Sequence, residues 1–447
     1  MALKDETNNQ SPGEAVKSPP HKPTSRPTKI RWIGGALIFV ICFIAYLDRI
    51  VFSLSATSIM ADLNITPVQF GLIITLFNIG YFVFQIPGGI LIQRVGARRV
   101  MTVAFLAWSI CTGLTGLANG LFMLALVRFA FGAGEAPVFP ASNAFFARWF
   151  PTRERGKANS LMNAGAFLGP ALGPILLVPV IQNFTWRGAF FACAALGLFL
   201  TVIIYLFMRD RPKQHSMVNE AEVQLIEDGT DVQPASGKAP WKLFLSQRSF
   251  WMLALGFFGT LWTIQFFIYW LPYYLQNGLG VPFASVGTYT SIAFVCITIS
   301  VLIAGIVSDR LLKSGRTKFQ SRNLVAVAGL AVAAVCLLLS LTSDNVFVSV
   351  LWLSVALGGA GFAQTLAWTI ATDIGRAHTS AVGSWMNSWG FVAAAIVPTL
   401  APILAQQLGW TSVILVCAAV VVLGIIGFLL TKTNQPLRDS PEAPARG

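Results

Sequence analysis

Residues Leu126 to Gly156 read LVRFAFGAGEAPVFPASNAFFARWFPTRERG, and the apolar first part of this stretch contains two ionisable residues, Arg128 and Glu135. Seven residues on a helix make about two turns, so the two side chains point the same way. Small residues on both sides of Glu135 allow another helix to approach closely. A charge at the bilayer centre costs about 3 kcal/mol or more, so such residues mark functional sites. We therefore expect Arg128 and Glu135 to face protein or a water-filled cavity.

The composition is that of an integral membrane protein. Hydrophobic residues make up 55% of the 447 residues and charged residues only 11%, less than half of their share in soluble domains. Apolar runs long enough to cross about 30 Å of hydrocarbon predict an all-α protein with twelve transmembrane helices. The predicted spans are 32–53, 68–92, 100–118, 121–147, 158–181, 188–208, 250–275, 284–308, 323–341, 346–371, 380–404 and 411–431.

The formal net charge of +13 reflects topology rather than nucleic-acid binding. Loops on one side, such as 54–69 and 276–284, carry no Lys or Arg, and Arg187 is the one exception on that side. By the positive-inside rule the basic loops and both termini are predicted to be cytoplasmic. The basic loop residues are Arg94, Arg98, Arg99, Arg148, Arg153, Arg155, Lys157, Arg310, Lys313, Arg316, Lys318 and Arg322.

The cysteines and histidines indicate no metal, cofactor or catalytic site. All six cysteines fall inside predicted spans without metal-site spacing. The three histidines lie in the N-terminal tail or in predicted cytoplasmic segments. No nucleophile motif accompanies the buried acids, so an enzyme is not expected.

Two short internal repeats predict a duplicated architecture. SLMNAG at Ser160–Gly165 resembles SWMNSWG at Ser384–Gly390. A second repeat has nearly the same offset, with Gly89, Gln93 and Arg94 corresponding to Gly305, Asp309 and Arg310. Duplicated halves are typical of transporters. The predicted domains are a disordered cytoplasmic tail (1–29), a six-helix bundle (30–208), a cytoplasmic linker (209–248), a second six-helix bundle (249–431) and a cytoplasmic tail (432–447).

The two halves differ in their buried polar residues. The first span carries Asp48 and Arg49, which point about 100° apart and so should meet different partners. A purely structural ion pair that holds helices together is the alternative for these two residues. The second half has no ionisable residue well inside its spans. It carries instead Gln265, Tyr269, Trp270, Tyr273, Gln364, Trp368, Trp385 and Asn387.

Three motifs carry a family resemblance. They are YLDR (46–49), followed by DLNITPVQFGLIITLFNIGYFVFQIPGGILIQRVGARR; RFAFGAGEAPVFPASNAFFARWFPTRERG; and YWLPYYL (269–275). With these motifs the chain resembles the major facilitator superfamily and, within it, the anion:cation symporters that carry organic anions. The resemblance covers Ile30 to Leu430. It implies two pseudo-symmetric six-helix bundles that work by alternating access.

The resemblance also implies roles for individual residues. Asp48 and Glu135 match a protonatable pair, and Arg128 a partner that tunes these acids. Arg49 matches the anchor for the substrate carboxylate, to which Glu135 also contributes. Cavity-lining recognition residues are matched by Tyr46, Tyr81, Trp368 and Asn387. The internal repeat adds Asn163 to the substrate-binding candidates, and polarity adds Gln265.

One departure from the family concerns the gate. The superfamily normally has Asp where this chain has Gln93, whereas the second-half copy keeps its acid as Asp309. The resemblance therefore implies asymmetric gating by Arg94, Arg98, Asp309 and Arg310.

These observations predict a monomeric secondary transporter of the bacterial inner membrane. It would import a small organic anion, a sugar acid or related carboxylate, together with protons. Members of the family that the chain resembles carry galactonate, glucarate, hexuronates, tartrate or aromatic acids such as phthalate. Alternatives are a carrier of aromatic carboxylates, a uniporter or exporter of a neutral or amphipathic solute, and a solute-sensing receptor.

Overall fold

The computed structural model describes residues 26–228 and 240–438. Parts of the predicted tails, 1–25 and 439–447, and of the predicted linker, 229–239, lie outside these residues. The first half, as we call it, comprises α1 (Ile30–Leu54), α2 (Ala56–Leu63), α3 (Pro67–Val95), α4 (Ala97–Gly116), α5 (Leu121–Glu135), α6 (Val138–Trp149) and α7 (Thr152–Phe207). The linker contains α8 (Glu220–Asp228) and α9 (Trp241–Leu245). The second half comprises α10 (Arg248–Asn277), α11 (Phe283–Lys313), α12 (Leu324–Leu339), α13 (Val346–Gly375), α14 (Thr379–Leu408) and α15 (Trp410–Leu430).

The described helices account for all twelve predicted membrane crossings. Eleven helical segments in the described part of the chain are long and apolar enough to cross a bilayer. One of them, 157–207, is 51 residues long, about 77 Å at 1.5 Å per residue and so enough for two crossings. Thr185, with φ at 63°, interrupts it between the predicted spans 158–181 and 188–208.

The predicted single helix over 121–147 is wrong in one respect, because α5 and α6 are separate helices. Proline has no N–H to donate, so Pro137 interrupts the helical hydrogen bonds just after Glu135, although Ala136 and Pro137 keep helical dihedral angles. The membrane-crossing segment nevertheless continues to Trp149. The break leaves Glu135 as the last residue of α5.

The helices within each half pack closely wherever glycine faces a neighbouring backbone. In the first half α1 packs on α7 and α3 on α5. A Cβ atom on Gly132 would lie 2.1 Å from the Phe77 carbonyl oxygen, and one on Gly165 would lie 2.2 Å from that of Phe39. The small residues around Glu135 and at the start of α7 therefore serve the close packing that the sequence predicts.

The two ends of the bundle differ. We call the end with residues 96, 150–151 and 314–318 the basic end, and the end with residues 55–66 and 278–282 the opposite end. Contacts between the halves join α1 to α10, α3 to α14 and α7 to α11.

Close contacts seal the opposite end. Ser53 donates a hydrogen bond to the Tyr269 carbonyl oxygen (2.8 Å), and Thr75 donates one to that of Ala395 (2.8 Å). At the basic end, by contrast, a Cβ atom on Gly89 or on its second-half counterpart Gly305 would meet no atom within 4 Å. The hydrogen bonds of Ser53 and Thr75 close the bundle at the opposite end.

Arg187, the exception in the charge pattern, is neutralised locally. Its guanidinium pairs with Asp62 of α2 and donates a hydrogen bond to the Ala118 carbonyl oxygen at 3.2 Å. The hydrogen bond and charge of Arg187 hold the pKa of Asp62 below its ordinary value. This pair fastens the unpredicted helix α2 to the bend of α7 near Thr185.

The linker helix α8 is docked onto the first half. Glu222 is fully buried, and its carboxylate accepts hydrogen bonds from the N–H groups of Ile30 and Arg31, both at 3.2 Å. The Arg31 side chain also pairs with Glu222 and with Glu154 of α7, each at 2.8 Å. A carboxylate at a helix N-terminus satisfies free N–H groups and the helix dipole. The linker helix therefore caps α1.

Candidate functional site

Arg49 and Glu135 form a buried ion pair between α1 and α5. Arg49 Nη2 lies 2.5 Å from Glu135 Oε1, and Arg49 Nε lies 3.1 Å from the same oxygen. Glu135 has no exposed surface. The pairing unites two residues that the sequence singled out separately. It places one carboxylate oxygen, Oε1, on two donors of the planar guanidinium, Nε and Nη2, while Oε2 lies 3.5 Å from Nε.

Aromatic rings surround the Arg49 guanidinium. Its Cζ atom lies 4.8 Å from the Tyr46 ring centroid, 5.2 Å from that of Phe77 and 5.4 Å from that of Tyr81. Such cation–π contacts stabilise a partly desolvated cation. Tyr81 also stacks on Phe391 of α14 with 5.2 Å between centroids. The surroundings of Arg49 therefore depend on how the two halves meet.

Asp48 points away from Arg49, as their sequence positions predict. Its Oδ2 accepts a hydrogen bond from Trp108 Nε1 at 2.6 Å and one from Thr112 Oγ1 at 3.3 Å. Its Oδ1 has no hydrogen-bond partner among the described residues, although the Cys193 thiol lies nearby. Asp48 is thus held inside the first half by α4, while Arg49 faces α5.

Arg128 is buried in a cage of phenylalanines. Its Cζ lies 3.9 Å from the Phe52 ring centroid, 4.9 Å from that of Phe131 and 5.1 Å from that of Phe190. Only 3% of the residue is exposed. Within 26–228 and 240–438, neither Nε nor Nη2 has a hydrogen-bond partner. A buried guanidinium whose N–H groups lack acceptors destabilises the folded state, so its presence requires an explanation.

Arg49 and Arg128 line the same small cavity. Its walls include Arg49, Arg128 and Tyr269 with Phe52, Phe77 and Phe131, and it has room for about one water molecule. The Tyr269 hydroxyl lies 3.3 Å from Asn78 Oδ1, in position to donate a hydrogen bond to it. The cavity thus lies between the halves, with the charges on one side and Tyr269 on the other.

The sequence shows Tyr269 as a polar residue of the second half, but the predicted site does not include it. Gln265 lies one helical turn before it on α10 and is buried with Oε1 unpaired in the described structure. The spacing of four residues on one helix face was the signal that could have linked them.

Arg49 is the one substrate-binding candidate among the described residues that line the cavity. The candidates that do not line it are Tyr46, Tyr81, Glu135, Gln265, Trp368, Asn387 and Asn163. Trp368 is 45% exposed and packs edge-on against Phe257 at 6.0 Å. Asn387 is half-buried and Asn163 is exposed. None of Trp368, Asn387 and Asn163 is among the described residues that line the cavity. Their roles in recognition remain predictions.

The predicted gating residues of the first half contact their own half. Arg98 donates a hydrogen bond from Nη2 to the Tyr205 carbonyl oxygen (2.7 Å), and its backbone N–H binds Asp210 Oδ1 (3.0 Å). Arg94 is exposed. The side chain of Gln93 lies outside the described residues. These contacts join the loop after α3 to the end of α7.

The predicted gating residues of the second half behave in the same way. Asp309 pairs with Arg322 (2.8 Å), which lies 3.6 Å from Asp373, while Arg310 is exposed. The gating roles of Arg94, Arg98, Asp309 and Arg310 stay predictions.

Comparison with known families identifies the class of protein. The family model of the Major Facilitator Superfamily matches residues 38–398 and 318–446. The chain belongs to the Major Facilitator Superfamily, which confirms the resemblance seen in the sequence.

Two curated relatives have similar lengths. The chain is 28% identical over 432 residues to the probable L-galactonate transporter of Escherichia coli K12, covering 95% of this chain and 94% of the relative. It is 30% identical over 401 residues to the probable galactarate/D-glucarate transporter of the same strain, covering 85% and 89%. The chain is therefore a multi-pass membrane transporter and not an enzyme.

Solved structures share the fold. A bacterial homolog of the human lysosomal transporter Spinster, in an inward-facing and unoccupied conformation, superposes with a TM-score of 0.77 at 16% identity. The match covers 94% of this chain and all of that one. The predicted fold of two six-helix bundles is confirmed.

Proposed function

We propose that the protein imports a small organic anion, a sugar acid or related carboxylate, together with protons. The observation that carries the proposal is the buried Arg49–Glu135 pair in a cavity that the two halves close. In the proposed membrane orientation the basic end faces the cytoplasm, as the positive-inside rule predicts. The protein would act as a monomer in a bacterial inner membrane. The relatives, named for L-galactonate and for galactarate/D-glucarate, support the choice of substrate class.

The Arg49–Glu135 pair suggests how proton and anion binding are coupled. Glu135 occupies the donors of Arg49 that a substrate carboxylate would use. Protonation of Glu135 removes its charge and releases the guanidinium, which then binds the substrate carboxylate. When the substrate leaves, Arg49 returns to Glu135 and favours the ionised form, which expels the proton.

Asp48 is the proposed second proton site. It is buried and faces Trp108 and Thr112, with Oδ1 unpaired in the part of the chain described. Its charge interacts with that of Arg128. Arg128 thus responds to the charge of Asp48, while its guanidinium lines the cavity. This arrangement connects a proton site inside the first half to the substrate cavity.

Coupling to protons meets a physical need. An inside-negative potential opposes entry of an anion by about 2.3 kcal/mol per charge per 100 mV. A proton that enters with each anionic charge removes this opposition. An acidic exterior should therefore drive accumulation.

Transport by the purified protein in liposomes tests the proposal. An acidic exterior should drive accumulation of galactonate or glucarate, and a protonophore should abolish it. Glu135→Gln should still exchange substrate between the two sides but lose proton-driven accumulation. Glu220→Gln, which removes an exposed acid from α8, is the matched control and should behave like the wild type. Full accumulation by Glu135→Gln would contradict the mechanism. Transport of a neutral solute that ignores the pH gradient would instead favour a uniporter.

A further inference from the structure

The central cavity holds two guanidiniums, and only one of them has a carboxylate. Arg49 is paired with Glu135 at 2.5 Å. Arg128 lines the same cavity and has no acceptor for Nε or Nη2 among the described residues. Its planar group is held in place by the rings of Phe52 and Phe131. It is therefore a preformed donor fork.

Asp48 does not occupy the Arg128 fork. The two residues interact through their charges, but no hydrogen bond or ion pair within 26–228 and 240–438 joins them. The Asp48 carboxylate instead accepts from Trp108 and Thr112 at its other side. The Arg128 donors remain available to a group in the cavity.

The charges around the cavity indicate what such a group must carry. With Asp48 and Glu135 ionised, the two acids balance Arg49 and Arg128. When both acids are protonated, two buried positive charges remain. The other buried Arg, Asp and Glu residues of the described chain, Arg31, Glu222 and Arg322, lie at the basic end and cannot balance them. A monoanion would leave one guanidinium buried and unpaired, which is unfavourable, whereas a dianion would pair both.

We propose that Arg49 and Arg128 together bind a short dianion, one anionic group on each, once protonation of Glu135 releases Arg49 and the small cavity between the halves widens. This inference rests on the proposed function of the same cavity and makes its substrate class more specific. The ligand would be a dicarboxylate, such as an aldarate, or a carboxylate with a second acidic group. A planar guanidinium binds either group through two parallel hydrogen bonds.

Pairs of ligands that differ by one charge test the proposal on the full-length protein. Glucarate and gluconate differ in one terminal carboxylate, and succinate and succinamate differ in the same way without hydroxyl groups. Calorimetric titration at mildly acidic pH should show the dianion of at least one pair binding about tenfold more tightly or better. Arg128→Gln should weaken binding of the dianion more than binding of the monoanion and so abolish this preference.

Two further variants keep the test independent of folding defects. Arg128→Lys keeps the charge but not the fork, and it should retain only part of the preference. Arg99→Gln removes an exposed positive charge far from the cavity and should change nothing. Equal affinity of the wild type for both members of each pair would overturn the proposal, whatever the variants do.

The remaining outcomes separate this inference from the proposed function. If Arg128→Gln weakens monoanion and dianion equally, Arg128 acts only through general electrostatics and the dianion inference fails. If monoanions bind through Arg49 without any preference for dianions, the dianion inference fails while the proposed function stands. If no carboxylate of either kind binds, both fail.

Discussion

Arg49 holds its partner through the shape of its side chain as much as through its charge. Nε and Nη2 both lie within 3.1 Å of Glu135 Oε1, and the Arg49 Cζ atom lies 4.8 to 5.4 Å from the centroids of three aromatic rings. Lysine offers one compact charge that can neither bind through a planar fork nor stack as well.

We therefore expect Arg49→Lys to lose about tenfold or more in affinity for carboxylates, although the charge is kept. Calorimetric titration with galactonate and glucarate measures the loss. Arg99→Lys, an exposed change of the same kind, serves as the control. Wild-type affinity in Arg49→Lys would remove Arg49 from the binding site.

At the scale of single residues, the sequence predicted which charged residues form the site but not all of their partners. The 100° rotation between neighbours predicted that Asp48 and Arg49 would have different partners, and they do. The unpaired state of Arg128 could not be predicted, because its cage combines rings from α1, α5 and α7. Such a cage depends on tertiary packing that one sequence does not reveal.

Among the elements, the segment between α7 and α8 contains a group that should respond to pH. His215 is buried, with its ring centroid 5.0 Å from that of Phe207 and 5.8 Å from that of Trp149. Burial lowers its pKa, and the positive charge of Arg209 lowers it further, while a hydrogen bond to the Phe207 backbone and the charge of Glu222 act in the opposite direction. Nδ1 accepts a hydrogen bond from the Met217 N–H at 3.3 Å, which an imidazolium cannot do.

Because the folded state prefers neutral His215, the stability it contributes is complete above the unfolded pKa of about 6.5 and is lost as pH falls through the lower folded value. We expect thermal melting to show a smaller acid-side loss of stability in His215→Phe than in the wild type. His378→Gln, a change at the other described histidine, is the control and should keep the wild-type profile. An unchanged acid-side loss in His215→Phe would contradict this account.

Hydropathy predicts the membrane elements because burial in lipid dominates their sequence. It could not predict the break at Thr185, since no proline or glycine occupies that position. Hydropathy could not predict the docking of α8 either. In the sequence Glu222 resembles a surface acid, and only the structure shows that it binds the N-terminus of α1. Asp309, a predicted gating residue, pairs with Arg322 within its own half.

At the scale of the whole molecule, the two ends of the bundle differ in how close their contacts are. A Cβ atom on Gly71 would lie 2.0 Å from the Pro398 carbonyl oxygen across the interface, whereas Gly89 near the basic end has open space. Alternating access requires the contact at Gly71 to open when the basic end closes. The close contact at Gly71 therefore belongs to one conformation. Gly132 contacts Phe77 within the first half, so its close contact belongs to the fold of that half.

These glycines give a prediction about the balance of conformations. In Gly71→Ala the backbone oxygen of Pro398 cannot yield, so the strain is relieved by separating the halves at the opposite end. A clash of this kind costs about 1–3 kcal/mol, and each 1.4 kcal/mol shifts the population about tenfold. We expect Gly71→Ala to fold and to favour the state open at the opposite end. Gly132→Ala has no such relief, since both residues belong to the first half, and should lower the melting temperature instead.

Spin labels at half-buried Thr57 and exposed Asn277 of the opposite end measure this balance. Thr57 and Asn277 form a hydrogen bond of 3.3 Å across the halves, so labels on Thr57→Cys and Asn277→Cys report their separation. The distance distribution should shift to longer values in Gly71→Ala and stay unchanged in Gly89→Ala, where the added methyl group meets open space. A wild-type distribution in Gly71→Ala, together with a lowered melting temperature, would mean that this contact stabilises the fold rather than selecting a transport state.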